Sequence, residues 1–132
     1  MKLGRMLVFL GGGFFILYGI LFAAAPVELA RLVTDGGTTS PSGLIDMRAT
    51  YGGMSIAFGM LLVVLARKAS TLRLSVAGLL IVMICMATTR TIGIVVDGSP
   101  NVMMYVYLTL ELVVSAICLL CLKLMNETGG DA

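Results

Sequence analysis

Histidine and tryptophan are absent from this 132-residue chain, and charge is scarce. Lys and Arg number nine and Asp and Glu seven, together 12% of the residues, against ~25% in an ordinary soluble domain. A water-soluble chain this short needs polar residues to cover its large surface, so an ordinary soluble globular enzyme is excluded. Disorder is excluded too, because it requires low hydrophobicity and high charge. Without histidine, the commonest metal ligand and the commonest general base are both missing. A net charge of +2 leaves no basic stripe for nucleic acid. Cysteine is limited to Cys85, Cys118 and Cys121, each inside an apolar run, which makes no disulfide framework.

What is present is hydrophobic. Apolar types make up 59% of the chain, about 78 residues, the content of four membrane spans at ~20 residues each. No charge occurs from Met6 to Ala25 or from Ala49 to Ala66. Two further runs are interrupted once each, Leu74–Val96 by Arg90 and Val102–Leu122 by Glu111. These lengths suit helices, since membrane strands would be ~10 residues of alternating polarity. The expected fold is therefore all-α: an integral membrane four-helix bundle of up-down topology in a single domain over 1–132. Its spans fall at about 6–25, 47–66, 74–96 and 102–122, with an outer loop over 26–46. The first run also has the basic start and small-residue end of a signal peptide. Its length, and Pro26 directly after the candidate cleavage site, favour a retained span.

Basic residues at the span ends set the orientation. Lys2 and Arg5 precede the first span, Arg67, Lys68 and Arg73 lie between the second and third, and Lys123 follows the fourth. Both termini are then expected in the cytoplasm, in a multi-pass protein of a bacterial inner (plasma) membrane. The opposite side carries Glu28, Arg31, Asp35, Asp46, Arg48 and Asp97. In the outer loop, Pro26–Val33 begins with Pro and has Glu28 in its first turn, as a short interfacial helix would. Asp35-Gly36-Gly37 is a stop signal, and Thr38–Gly43 reads as a polar turn.

Ionisable residues at membrane depth are costly and usually face a partner inside the bundle. Arg90 lies about 9 Å, and Glu111 about 14 Å, below the outer surface at 1.5 Å per residue. The short connection over 97–101 makes their helices neighbours, so the two side chains are expected to pair. Asp97 returns to nearly the face of Arg90, Arg48 shares a face with Tyr51, Gly52 and Ser55, and Tyr107 lies one turn before Glu111. Asp46, Arg48, Tyr51, Arg90, Asp97, Tyr107 and Glu111 are thus the candidate ligand-binding residues of one polar pocket. The same charges would equally well neutralise each other and fix helix register with no further role.

Other motifs have plainer explanations. Gly11-Gly12-Gly13 is no phosphate loop, because no Lys or Ser/Thr follows in place. Like Gly19 and the Ala49, Gly53, Ala57 spacing, it suits close helix packing in lipid. Cys118-Leu-Leu-Cys121 has redox-motif spacing but falls at the expected cytoplasmic end, where the compartment is reducing; lipid-facing cysteines acting as small hydrophobes are the simpler reading. The ten methionines include no Met-x-Met array for copper. No metal site and no cofactor is expected.

Two outer-side motifs, Asp46-Met-Arg48-Ala49-Thr-Tyr51-Gly52-Gly53 and Arg90-Thr-Ile-Gly93-Ile-Val-Val-Asp97-Gly98-Ser-Pro100, together with Glu111, resemble the small bacterial four-helix membrane proteins of domain of unknown function family 4345. The resemblance covers nearly the whole chain, implies that fold and supplies no activity. The layout is also similar to the small four-helix scaffold proteins of ergosterol synthesis, which tether enzymes and catalyse nothing. The expected function is binding of a membrane lipid or hydrophobic small molecule, or of a membrane partner such as an enzyme or a second copy. Arg48 and Arg90 would hold a carboxylate or phosphate headgroup. Two alternatives are an integral-membrane enzyme acting on a polyprenoid or steroid-like substrate, with Glu111 as proton shuttle, and a dimeric small transporter.

Overall fold

A computed structural model describes residues 2–37 and 40–127. All regular structure among the described residues is helical. Helix α1 spans Lys2–Ala24, α2 Pro26–Thr34, α3 Pro41–Met47, α4 Met54–Arg67, α5 Ala69–Asp97 and α6 Val102–Glu127. A π-helical segment, Arg48–Gly53, joins α3 to α4 in one continuous rod. That rod, α1, α5 and α6 are each long and apolar enough to cross a membrane. Large apolar side chains such as Leu10, Leu17, Ile81 and Leu112 lie on the outside, as hydrocarbon surroundings permit. The chain is an all-helical membrane protein.

Local chemistry explains the helix ends. Ala25 leaves helical geometry (φ −133°, ψ 65°), and Pro26 starts α2 at the one position where its missing N–H costs nothing. Helix α2 is stopped by Asp35 itself, ahead of the glycines. Its φ of 57° is left-handed and its N–H bonds the Arg31 carbonyl at 3.0 Å, a conformation Asp tolerates. Ser40 caps α3, its hydroxyl accepting from Gly43 N–H at 3.1 Å, with Pro41 in the first turn. The second long helix thus starts at Pro41 rather than near Met47. Pro41–Gly43, expected as turn, is its first turn, while Thr38 and Thr39 lie outside the described residues. At the other end, Lys68 alone separates α4 from α5.

Glycine governs the tightest packing. A methyl group on Gly19 would lie 2.6 Å from the Gly52 carbonyl oxygen, and one on Gly12 2.9 Å from that of Gly59. Since 12 meets 59 and 19 meets 52, α1 and α4 run antiparallel with their backbones in contact. The expected stripe of Ala49, Gly53 and Ala57 is on the exposed side instead. The contact face repeats every seven residues (Gly12 and Gly19, Gly52 and Gly59), which a search for four-residue spacing misses.

Helix α5 then packs on α4, and α6 on α5, while α6 and α1 touch little. The half of the bundle nearest the α1 start is filled by one dry core that includes Val8, Leu62, Leu72, Val76 and Cys118. Within it Ser75 donates to the Leu62 carbonyl at 2.9 Å, tying α5 to α4. Cys118 and Cys121 are free thiols buried in this core, not lipid-facing as expected, because α6 turns that face to α1 and α5. At the opposite end Asn101 donates to the Val33 carbonyl at 3.0 Å and accepts from Met104 N–H at 3.1 Å, anchoring α2 and capping α6 together.

Replacing Gly19 by Ala is expected to cost about 1–3 kcal/mol by overpacking against backbone that cannot yield, whereas Gly53→Ala, whose added methyl would make only an ordinary contact with the Arg48 carbonyl oxygen at 3.9 Å, leaves stability unchanged or slightly higher. Unfolding midpoints of the two variants in detergent check this.

Candidate functional site

The core does not close completely between α1 and α6, and its members Phe15, Leu79 and Met83 border the space left there. A cavity of about 340 Å³ lies between α1, α5 and α6, at the lower end of the ~300–1,000 Å³ of small-molecule sites. Phe15, Leu79, Met83 and Val114 form part of its wall. At its rim stand Leu10, Phe14 and Leu110, which are also exposed on the outer surface. The cavity therefore opens sideways, between α1 and α6, which touch little. Helix α1 leaves this space because its glycines draw it onto α4.

The polar side chains of the lining are Tyr18, Arg90, Tyr107 and Glu111. Arg90 and Glu111 form the ion pair expected from their depths. Arg90 Nε donates to both Glu111 carboxylate oxygens at 3.1 Å, and one terminal nitrogen reaches Oε1 at 2.6 Å. The side chains are 18% and 5% exposed, so the pair is largely removed from solvent. The other terminal nitrogen donates to the Met104 thioether sulfur at 3.3 Å, a weak acceptor. The Arg90 guanidinium also lies 5.2 Å from the Tyr107 ring centre, within cation–π range. Ser115 donates to the Glu111 carbonyl at 2.7 Å. A buried charge is tolerated only when paired and hydrogen-bonded, and this arrangement satisfies both conditions.

The seven candidate residues divide into groups. Arg90, Tyr107 and Glu111 meet at the cavity. Arg48 and Tyr51 share a face as expected, but it meets the end of α1. Arg48 donates to the Ala23 and Ala24 carbonyls, two of the orphan acceptors that end every helix. The Tyr51 ring stacks on Phe22 at 5.2 Å. Asp46 accepts from Thr50 at 3.3 Å, and Asp97 is exposed at the end of α5. The single pocket expected from seven residues is therefore a site of three, with a separate cap on α1. The π-helical turn accounts for part of the difference. It lets Gly52 approach Ala23 to a distance at which an added methyl would be 3.1 Å away, and it commits the residues around it to α1.

Tyr18 was not among the expected residues. It stands about 9 Å inside the end of α1 at 1.5 Å per residue, the depth read for Arg90, and that match is the signal that identifies it. Its ring belongs to a run from Phe14 through Tyr18 and Phe22 to Tyr51, with successive centres 6.0, 4.8 and 5.2 Å apart. Among the described residues no three Cys, Asp or Glu side chains gather as a metal site would require.

The family model described as "Domain of unknown function (DUF4345)" matches residues 3–122. No curated protein and no solved structure matches the chain significantly.

Removing one partner of the ion pair leaves the other buried and uncompensated. Glu111→Gln or Arg90→Met is expected to cost about 3–5 kcal/mol, whereas Arg90→Met with Glu111→Leu recovers most of the loss. A double-mutant cycle of unfolding free energies measures the difference.

Proposed function

The chain belongs to the DUF4345 family, which carries no assigned activity, and from its own geometry we propose that it is a membrane binding protein. It holds a lipid-like or hydrophobic small molecule in the cavity between α1, α5 and α6. The observation that carries this reading is an apolar cavity, open towards the lipid-facing surface, with one ion pair in its wall. Apolar pockets with a few convergent polar groups are the usual form of small-molecule sites, and an intramembrane ionisable pair is a functional candidate by default. A ligand already dissolved in the bilayer would enter between Leu10, Phe14 and Leu110 without crossing water.

Lys2, Arg5, Arg67, Lys68, Arg73 and Lys123 all lie at or near the bundle end that holds the start of α1, away from the Arg90–Glu111 pair, on the starts and ends of antiparallel helices. By the positive-inside rule that end would face the cytoplasm of a bacterial inner membrane, and the Arg90–Glu111 pair would then lie in the outer half. The proton-shuttle reading has less support, because Arg90 donates to both oxygens of Glu111.

A photoreactive alkyl diazirine in liposomes tests the binding reading. Adducts are expected on the buried lining residues Phe15, Leu79 and Met83, and filling the cavity with Val114→Trp is expected to lower that labelling about tenfold, while Leu17, on the lipid-facing surface, is labelled as before. Adducts spread evenly over the exposed apolar residues would refute the site. For orientation, a cysteine replacing Lys68 in a cysteine-free background is expected to react with an impermeant maleimide only after the membrane is opened.

A further inference from the structure

The charges at the cavity constrain what the bound molecule carries. Among the described residues, Arg90 and Glu111 are the ones with a full charge in its lining, and they cancel. Among the described residues no second cation lines the cavity, and Arg48, which was expected to help hold an anionic headgroup, donates to the end of α1. An anionic head brought into this apolar space would be stripped of water, a cost of several kcal/mol, and would meet Glu111 as well as Arg90. A cationic head would meet Arg90 in the same way. Arg90 nevertheless retains donor capacity. Guanidinium carries five N–H groups, and the terminal nitrogen that does not reach Glu111 has a thioether sulfur as its partner. An oxygen acceptor is a better partner than sulfur.

We infer that the cavity selects an uncharged apolar molecule bearing a single carbonyl or hydroxyl oxygen, which accepts a hydrogen bond from Arg90. This rests on the binding reading above and narrows it to a chemical class. The alkyl part lies along Phe14, Phe15 and Val114, the oxygen reaches the Arg90 guanidinium beside Tyr107, and Glu111 orients Arg90 and neutralises its charge. Here Glu111 is a positioning residue. The neutral pair explains why a charged side chain lines an otherwise apolar space without calling for a counter-charged ligand.

Competition against the diazirine label in liposomes tests this, using methyl undecyl ketone, tridecane, dodecanesulfonate and dodecyltrimethylammonium. The ketone is expected to displace the label at about tenfold lower concentration than the other three. In the Arg90→Met/Glu111→Leu variant, which keeps an apolar wall, tridecane should still compete and the advantage of the ketone should vanish. Equal displacement by ketone and tridecane from the wild-type cavity overturns the inference and leaves the binding reading standing. So does stronger competition from either ion, or a ketone preference that survives in the double variant. Failure of the label to enter the wild-type cavity overturns both.

Discussion

Helix α1 lies against α4 so closely that carbonyl oxygens occupy the space where side chains would otherwise be. Everything else in the bundle follows from that contact. In lipid there is no hydrophobic force to draw two apolar helices together, so close backbone approach through small residues supplies the attraction. Four glycines, Gly12, Gly19, Gly52 and Gly59, provide it along the length of both helices. Because α1 is held on one side, it cannot also close against α6. In the half near its start, the gap is filled by Val8, Val76, Cys118 and their neighbours. Further along, beside Phe14, Tyr18 and Leu110, it stays open.

The open stretch is also where the two charges sit. Their pairing is obligatory, since neither would be tolerated alone at that depth. Three hydrogen bonds, a cation–π contact and a bonded backbone carbonyl hold the pair in one geometry. Such a pair adds a localised, electrically balanced polar spot to an apolar wall. In the proposed binding role, apolar area would provide affinity and the one oriented donor would provide selection.

The π-helical turn over Arg48–Gly53 couples this cavity to the capping of α1. It brings Gly52 under Ala23 and sends Arg48 to the last carbonyls of α1. Tyr51 then continues the aromatic run that reaches the cavity through Phe22 and Tyr18. The charged residues at this end of the bundle thus serve two tasks. Arg90 and Glu111 build the wall of the cavity, and Arg48 finishes the helix that forms its opposite side.

Much of this was legible in the residue order. Sixteen charges in 132 residues exclude a water-facing surface, and the gaps between them mark four long helices, because hydrocarbon penalises charge and demands internally satisfied backbone. The depth of Arg90 and Glu111 from a short connection was enough to pair them, since helical rise is constant. Tyr18 escaped because a single hydroxyl in an apolar span breaks no rule, and Arg48 was misplaced because ideal helical spacing says which residues share a face but not which neighbour that face meets. By itself, then, the sequence determined the membrane environment, the four helices and the ion pair, all consequences of one-dimensional spacing against a low-dielectric solvent. Which glycines touch, where the bundle stays hollow and which polar residues share that hollow were decided by tertiary packing alone. Those outcomes depend on how tightly α1 approaches α4, a distance set by both surfaces at once.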